Sequence, residues 1–282
     1  MPRKIFYTGI PVTLECPDEM EYATNEVLKG EYESGYFGAE LTILDIGANV
    51  GSFSIWASMR WPRSQIHAYE PHPETFKMLT SNVSFLPNDA CHNVAVSPGG
   101  KENEPFFSRY VGDGEAGLVT YLEETFERMP HEKILSVSVC HPKDLPQCDV
   151  IKIDVEGAEA AILENMNLDH VSLILLEYQY DKNRISITRL LRDNFTLERE
   201  NRFEWKRHLP ASGYRRDLQG DYFGHLFFVN RKWNRLEKLS CNHSRYALLP
   251  LSLQFGQLLT TLSHMIISAF LRRLRRLRKI GK

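Results

Sequence analysis

Three carboxylates at the ends of apolar runs are the residues of this chain best placed to do chemistry. Asp154 and Glu156 close the segment Ile151-Lys152-Ile153-Asp154-Val155-Glu156-Gly157-Ala158-Glu159. They are two residues apart, so on a strand end they project to one side. Glu177 closes the next apolar run, Leu173-Ile174-Leu175-Leu176. Acids gathered at neighbouring strand ends repel one another, which raises at least one pKa and suits a general base. Asp154 and Glu156 are therefore the expected catalytic pair, with His225 in Gly224-His225-Leu226 as the alternative base. Glu159 falls in the first turn of the next helix, where the dipole favours an anion, and is expected only to cap it. Oxygen ligands suit a hard divalent ion, so Asp154, Glu156 and Glu177 holding one is the alternative that is not favoured. No transition-metal site is expected.

A second constellation is Asp45-Ile46-Gly47-Ala48-Asn49-Val50-Gly51-Ser52, which ends a strand and opens a helix. In an open α/β sheet that position faces the crevice where ligands bind. A dinucleotide pyrophosphate asks for G-x-G-x-x-G, bare backbone at a helix N-terminus. Here Asn49 stands in place of the second glycine and Ser52 in place of the third. Glu70 ends the following strand, where an acid accepts hydrogen bonds from ribose hydroxyls. A ribose without phosphates, joined to a cation that an acidic crevice attracts, describes S-adenosylmethionine rather than NAD. Asp45, Gly47, Ala48, Asn49, Gly51, Ser52, Glu70, Pro71 and Asn93 are the expected cofactor contacts.

These constellations need a parallel sheet to bring them together, and the chain is written as one. Leu41–Ile46, Gln65–Tyr69, Cys91–Val96, Val150–Val155 and Val171–Glu177 read as strands. Ser52–Met59, Pro73–Phe85, Ala158–Asn165 and Ser186–Asp193 read as the helices between them. Alternation at this pitch means βαβ units. Phe195–Glu200 and His225–Asn230 are expected to close the sheet as an antiparallel pair. The expected fold is thus α/β and Rossmann-like, mostly parallel, with a C-terminal helical tail. Residues 1–38 form a lead-in with a helix near Asp18–Lys29, and 39–232 the main domain. Within that domain 97–147 is an inserted hairpin region on the substrate side, with short strands at Pro105–Val111 and Lys133–Cys140. Its aromatics Phe106, Phe107, Tyr110, Tyr121 and Phe126 could stack on a ligand or fill a core. Residues 233–245 read as a linker.

The glycine loop, the Tyr69-Glu70-Pro71-His72-Pro73-Glu74 segment and the string Lys152-Ile153-Asp154-Val155-Glu156-Gly157-Ala158-Glu159 together resemble the FkbM-type methyltransferases. Gly30-Glu31-Tyr32-Glu33 and His92-Asn93-Val94-Ala95-Val96 are similar to the family's lead-in and third strand, so the likeness runs from about Gly30 to Arg231. The resemblance implies a class I, S-adenosylmethionine-dependent methyltransferase, often O-methylating sugars, glycolipids or secondary metabolites. It places Gly47, Asn49, Gly51 and Glu70 at cofactor positions, and Asp154 and Glu156 at the active-site edge. The expected partner is a small-molecule or glycan acceptor. The chain departs from the family where a T-L-D segment often precedes the fourth strand; Cys140-His141-Pro142-Lys143-Asp144-Leu145 stands there instead. A scaffold that has lost turnover and recruits a partner through its tail is the alternative from another class.

Charge and cysteine usage set further bounds. Net charge is −2, yet residues 246–282 hold seven basic residues and no acid, leaving 27 basic against 36 acidic residues before them. An acidic body of this kind is not expected to bind nucleic acid. Five cysteines with no C-x-x-C spacing point to reduced thiols in a cytoplasmic setting. The polar N-terminus is expected to carry no signal peptide. In the tail, Leu251, Phe255, Leu258, Leu262, Met265 and Ala269 recur at helical steps, and Arg272, Arg273, Arg275, Arg276, Arg278 and Lys279 follow. Residues 246–282 are expected to form an amphipathic basic helix that lies peripherally on a membrane or closes a homodimer.

Overall fold

Strands that carry apolar residues on both faces must be covered on both, and that requirement organises the molecule. The computed structural model describes residues 3–7, 10–36, 38–86, 89–122, 133–204 and 222–232. In chain order they form β1 (Arg3–Tyr7), β2 (Ile10–Leu14), α1 (Glu21–Leu28), β3 (Thr42–Ile46), α2 (Ser52–Arg60), β4 (Gln65–Tyr69), α3 (Pro73–Val83), β5 (Asp89–His92) and β6 (Ala95–Val96). There follow β7 (Asn103–Phe107), β8 (Gly117–Leu118), β9 (Ile134–Cys140), β10 (Val150–Ile153), α4 (Glu159–Glu164), β11 (Leu173–Tyr178), α5 (Asp181–Leu191), β12 (Phe195–Glu204) and β13 (Tyr222–Asn230).

The main sheet has the order β12-β13-β11-β10-β3-β4-β5. β5, β4, β3, β10 and β11 run parallel, and β13 is antiparallel to both β11 and β12. Period-two alternation sorts the strand residues between two cores. Ile43, Leu173, Leu175 and Phe227 pack with Phe53, Trp56 and Leu79 on one face. Leu44, Ile46, Ile151, Ile153, Ile174 and Leu176 pack with Ile162, Leu163, Ile187 and Leu191 on the other. Helix caps follow local chemistry. His72 precedes Pro73 and accepts at Nδ1 from the Thr75 N–H, fixing where α3 starts after Glu70.

Several expectations about elements change; the strand expected at Pro105–Val111 is β7, Asn103–Phe107. The segment Cys91–Val96 is not one strand: β5 ends at His92, and β6 leaves the main sheet to pair in parallel with β9. Asn93 makes the break, its side-chain amide donating to the carbonyls of Glu70 at 2.8 Å and Pro71 at 3.1 Å. Helix α5 begins at Asp181 rather than Ser186. The inserted region is a small sheet of order β6-β9-β7-β8, with β7 and β9 antiparallel as a hairpin layer. Phe106 and Phe107 are buried there, whereas Tyr110 is exposed and Phe126 lies outside the described residues. The linker 233–245 and the basic tail 246–282 also lie outside them. No helix among the described residues is long and apolar enough to cross a membrane.

Candidate active site

Parallel strands deliver their C-terminal ends to one edge of the sheet, and a cavity of about 690 Å³ opens there. Gly47, Ala48, Asn49 and Ser52 of the loop after β3 line it, as do Glu70 and Pro71 after β4. Asp154 and Glu156 after β10, Glu177 on β11 and His225 on β13 line it too. Asp45, Gly51 and Asn93 do not reach the wall. Asp45 is fully buried, accepting from the Ser54 hydroxyl at 2.8 Å. Gly51 turns the chain into α2, and Asn93 holds the backbone of Glu70.

Glu70 is buried and takes two backbone N–H bonds, from Asn49 at 3.0 Å and His72 at 2.8 Å. Burial outweighs those bonds and pushes its pKa up to about 7. The carboxyl therefore braces the glycine loop while facing the cavity. The loop itself is bound to β10 through Lys152, a buried cation whose Nζ donates to the Gly47 carbonyl at 2.6 Å. Nζ also lies 3.4 Å from Asp45 and 3.5 Å from Asp154. Burial works against this charge, but Asp154 and Asp45 prevail and hold the lysine pKa above its ordinary value. Spacing alone did not single out Lys152. The signal was available: a lysine inside an apolar strand, in parallel register with an aspartate, Asp45.

Asp154 sits at the centre, its side chain 29% exposed. Burial lifts its pKa to about 6, Lys152 pulls it down and Glu177 raises it again. Glu156 is buried with φ of 60°, left-handed backbone for a non-glycine residue, and Gln179 Nε2 donates to its Oε1 at 2.8 Å. The same amide donates to Glu177 Oε1 at 3.1 Å. Oxygens of Asp154, Glu156 and Glu177 come within 4.8 Å of one another. A cation among them would compete with an N–H donor already serving two of the three. Glu159 faces away from the chemistry, accepting from the Gly157 N–H at 2.8 Å and Asn183 Nδ2 at 3.0 Å.

His225 is buried beside the acids, with Nε2 at 3.1 Å from Glu177 Oε2 and 3.7 Å from Glu31 Oε1. Burial disfavours its charge, but the hydrogen bond to Glu177 and the nearby carboxylates raise its pKa overall. Glu177 is held below the carboxylate range: burial opposes its charge, and His225 more than compensates. Glu31, in the lead-in after α1, was not singled out as a site residue by the sequence. Only the fold shows that it meets β13.

Burial raises Asp154 to about 6 and both Glu70 and Glu159 to about 7, from ordinary values of 3.8 and 4.5. The folded state therefore binds more protons than the unfolded state between about pH 4 and 7, and stability falls as pH rises through that window. His225, raised, acts in the same direction; Glu177, lowered, opposes it. The melting temperature is expected to be higher near about pH 5.5 than near about pH 8. A scanning-calorimetry series showing the reverse order would contradict this account of the acids.

A parallel sheet closed by an antiparallel strand, with a glycine loop and an acid at adjacent strand ends, defines a Rossmann-like methyltransferase fold. The chain belongs to the FkbM methyltransferase family, whose domain matches residues 45–216. It is 26% identical over 182 residues to Methyltransferase 1 of Beauveria bassiana, covering 55% of this chain and 71% of that one. It is 27% identical over 152 residues to the hexuronic acid methyltransferase AglP of Haloferax volcanii, covering 52% of this chain and 59% of that protein. Among solved structures it is similar to precorrin-6y C5,15-methyltransferase from Geobacter metallireducens GS-15. That pair has a TM-score of 0.40 and 16% identity, covering 77% of this chain and 90% of the other.

Proposed function

We propose that this methyltransferase takes its methyl group from S-adenosylmethionine and delivers it to a hydroxyl of a sugar, glycolipid or secondary metabolite. The observation that carries this reading is one cavity lined by the glycine loop, Glu70 and Asp154. Its wall suits a nucleoside without phosphates. Among the described residues the one lysine or arginine on it is Lys152, already committed to the Gly47 carbonyl, Asp45 and Asp154. A pyrophosphate would find no free cation there. The hexuronic acid methyltransferase among its relatives supports a sugar-type acceptor.

When bound, S-adenosylmethionine supplies an electrophilic methyl on a sulfonium. The residues of the chain supply the rest. Glu70 is placed to accept from ribose hydroxyls, and the bare backbone at Gly47 lets the ligand approach. Asp154, the carboxylate in the middle of the wall, receives the proton that the acceptor hydroxyl loses. Its pKa near 6 leaves it charged at neutral pH yet more basic than an ordinary aspartate. Glu156, tied to Gln179, shapes the turn that presents Asp154.

The test is transfer of labelled methyl from S-adenosylmethionine into a metabolite extract, with product identified by mass. Failure to transfer to any hydroxyl would refute the reaction. Glu70→Ala is expected to weaken donor binding by about 1–3 kcal/mol, the scale of lost charge-assisted hydrogen bonds. Glu70→Gln keeps one of the two oxygens that accept the Asn49 and His72 N–H bonds, and its thermal unfolding beside that of Glu70→Ala checks that the loss is not misfolding. Unchanged calorimetric affinity in folded Glu70→Ala protein would remove Glu70 from the ribose.

A further inference from the structure

His225 itself and Glu31, one of the two acids that approach it in the cavity wall, lie outside the span the family domain matches. That domain ends at residue 216, and Glu31 precedes its start at 45. Yet Glu31 on one side and Glu177 on the other both approach the same nitrogen, Nε2, at 3.7 and 3.1 Å. Arg199 fixes the Glu31 side: its guanidinium lies 3.6 Å over the Phe227 ring, and Nη2 donates to the Glu31 carbonyl at 2.7 Å. Tyr32 and Phe203 flank the imidazole at 5.6 and 5.9 Å between ring centroids, so its orientation is set by packing as well.

The other ring nitrogen is left over. Nδ1 is buried and has no hydrogen-bond partner among the described residues, although His225 lines the cavity with a side chain only 4% exposed. A buried polar atom without a partner is costly, and in a ligand cavity the natural partner is the ligand. Two acids at Nε2 demand a donor there, which directs one proton to that nitrogen. They also favour the doubly protonated ring, in which Nδ1 carries a proton as well and becomes a donor.

We propose that His225 Nδ1–H binds an oxygen of the methyl acceptor, and that Glu31 is the positioning residue that keeps His225 in the donating form. In this role His225 orients the acceptor and is not the base, which leaves proton removal to Asp154. The groups facing the ring are Glu31 from the lead-in, Glu177 from β11 and Asp154 from β10, all acids, with Tyr32 and Phe203 as its aromatic neighbours. The assignment rests on the cavity being the methyl-transfer chamber, but the state of the ring is measurable without any turnover.

The experiment is a nitrogen-15 NMR titration of the histidine rings in the full chain, with His225 assigned by its loss in His225→Phe. At pH 7 both nitrogens of His225 should be protonated. In Glu31→Gln the midpoint should fall by about one pH unit, the size of shift one nearby carboxylate produces. A wild-type ring neutral at pH 7, or a midpoint unmoved in Glu31→Gln, overturns the proposal. Kinetics give the second reading. Glu31→Gln should raise the acceptor KM about tenfold at about pH 8, the scale of one charge-assisted hydrogen bond, and recover at about pH 6.5 where the ring recharges. A loss equal at both pH values means Glu31 is only structural and overturns its role. A charged ring in a protein that methylates nothing would instead refute the methyl-transfer reading.

Discussion

Asp154→Asn should lower the methyl-transfer rate by about 10²–10⁴-fold while leaving donor affinity nearly unchanged, the range expected for loss of a positioned general base. The substitution keeps the size of the side chain and an oxygen that can still accept from Lys152, now 3.5 Å from the carboxylate. It removes the ability to take a proton. Lys152 would keep its contacts with Asp45 and the Gly47 carbonyl, so the loop should remain in place. In the wild type, turnover should decline as pH falls below about 6, where Asp154 becomes protonated. That decline should be missing from the residual rate of the variant. With Asp154 as the proposed base, Glu156→Gln should cost much less, because Gln179 Nε2 already holds Glu156 Oε1 at 2.8 Å. Single-turnover rates with saturating donor make the comparison. An Asp154→Asn enzyme with full turnover removes Asp154 from the chemistry.

The sheet was legible because its strands are buried on both faces and therefore apolar on nearly every residue, as in Val150–Ile153 and Leu173–Tyr178. The boundaries of β4 match expectation because Pro71 and Pro73 punctuate the chain just beyond it. The break at Asn93 was hidden because Val94, Ala95 and Val96 continue the apolar run just beyond it; a side-chain bond to Glu70 decides it, and that partner is distant in sequence. The early start of α5 was hidden for a related reason. Asp181-Lys182-Asn183-Arg184 has no apolar stripe, and contacts from outside hold it: Arg202 reaches Asp181 at 3.0 Å, and Asn183 reaches Glu159. At the site, residues on strand ends were readable because strand order alone brings them together. Glu31 was not, since nothing local to a lead-in residue reports that β13 will pass beside it. His225 was readable as a candidate, but its role depends on which groups surround the ring.

Gly47→Ala should be the most destabilising single change in the glycine loop, costing about 3 kcal/mol or more through backbone strain together with a clash that neither partner can relieve. Gly47 has φ of 79°, and a Cβ there would lie 1.8 Å from the Asp154 carbonyl oxygen. Register explains the closeness. Ile46 pairs with Ile153 in parallel strands, so Gly47 and Asp154 leave the sheet side by side. Neither can retreat. The Asp154 N–H is bonded to the Ile46 carbonyl at 3.0 Å, the Gly47 N–H to the Tyr69 carbonyl at 3.1 Å, and Lys152 holds the Gly47 carbonyl from below. Gly100→Ala supplies the control. Its φ is 69°, also left-handed, but an added Cβ meets nothing within 4 Å, so only the conformational cost of about 1–2 kcal/mol applies. The difference between the two variants in denaturant unfolding measures the contact between the glycine loop and the end of β10. If Gly47→Ala proves no more destabilising than Gly100→Ala, the loop is free to move away from Asp154. The two halves of the site would then not be held in one fixed arrangement by the sheet.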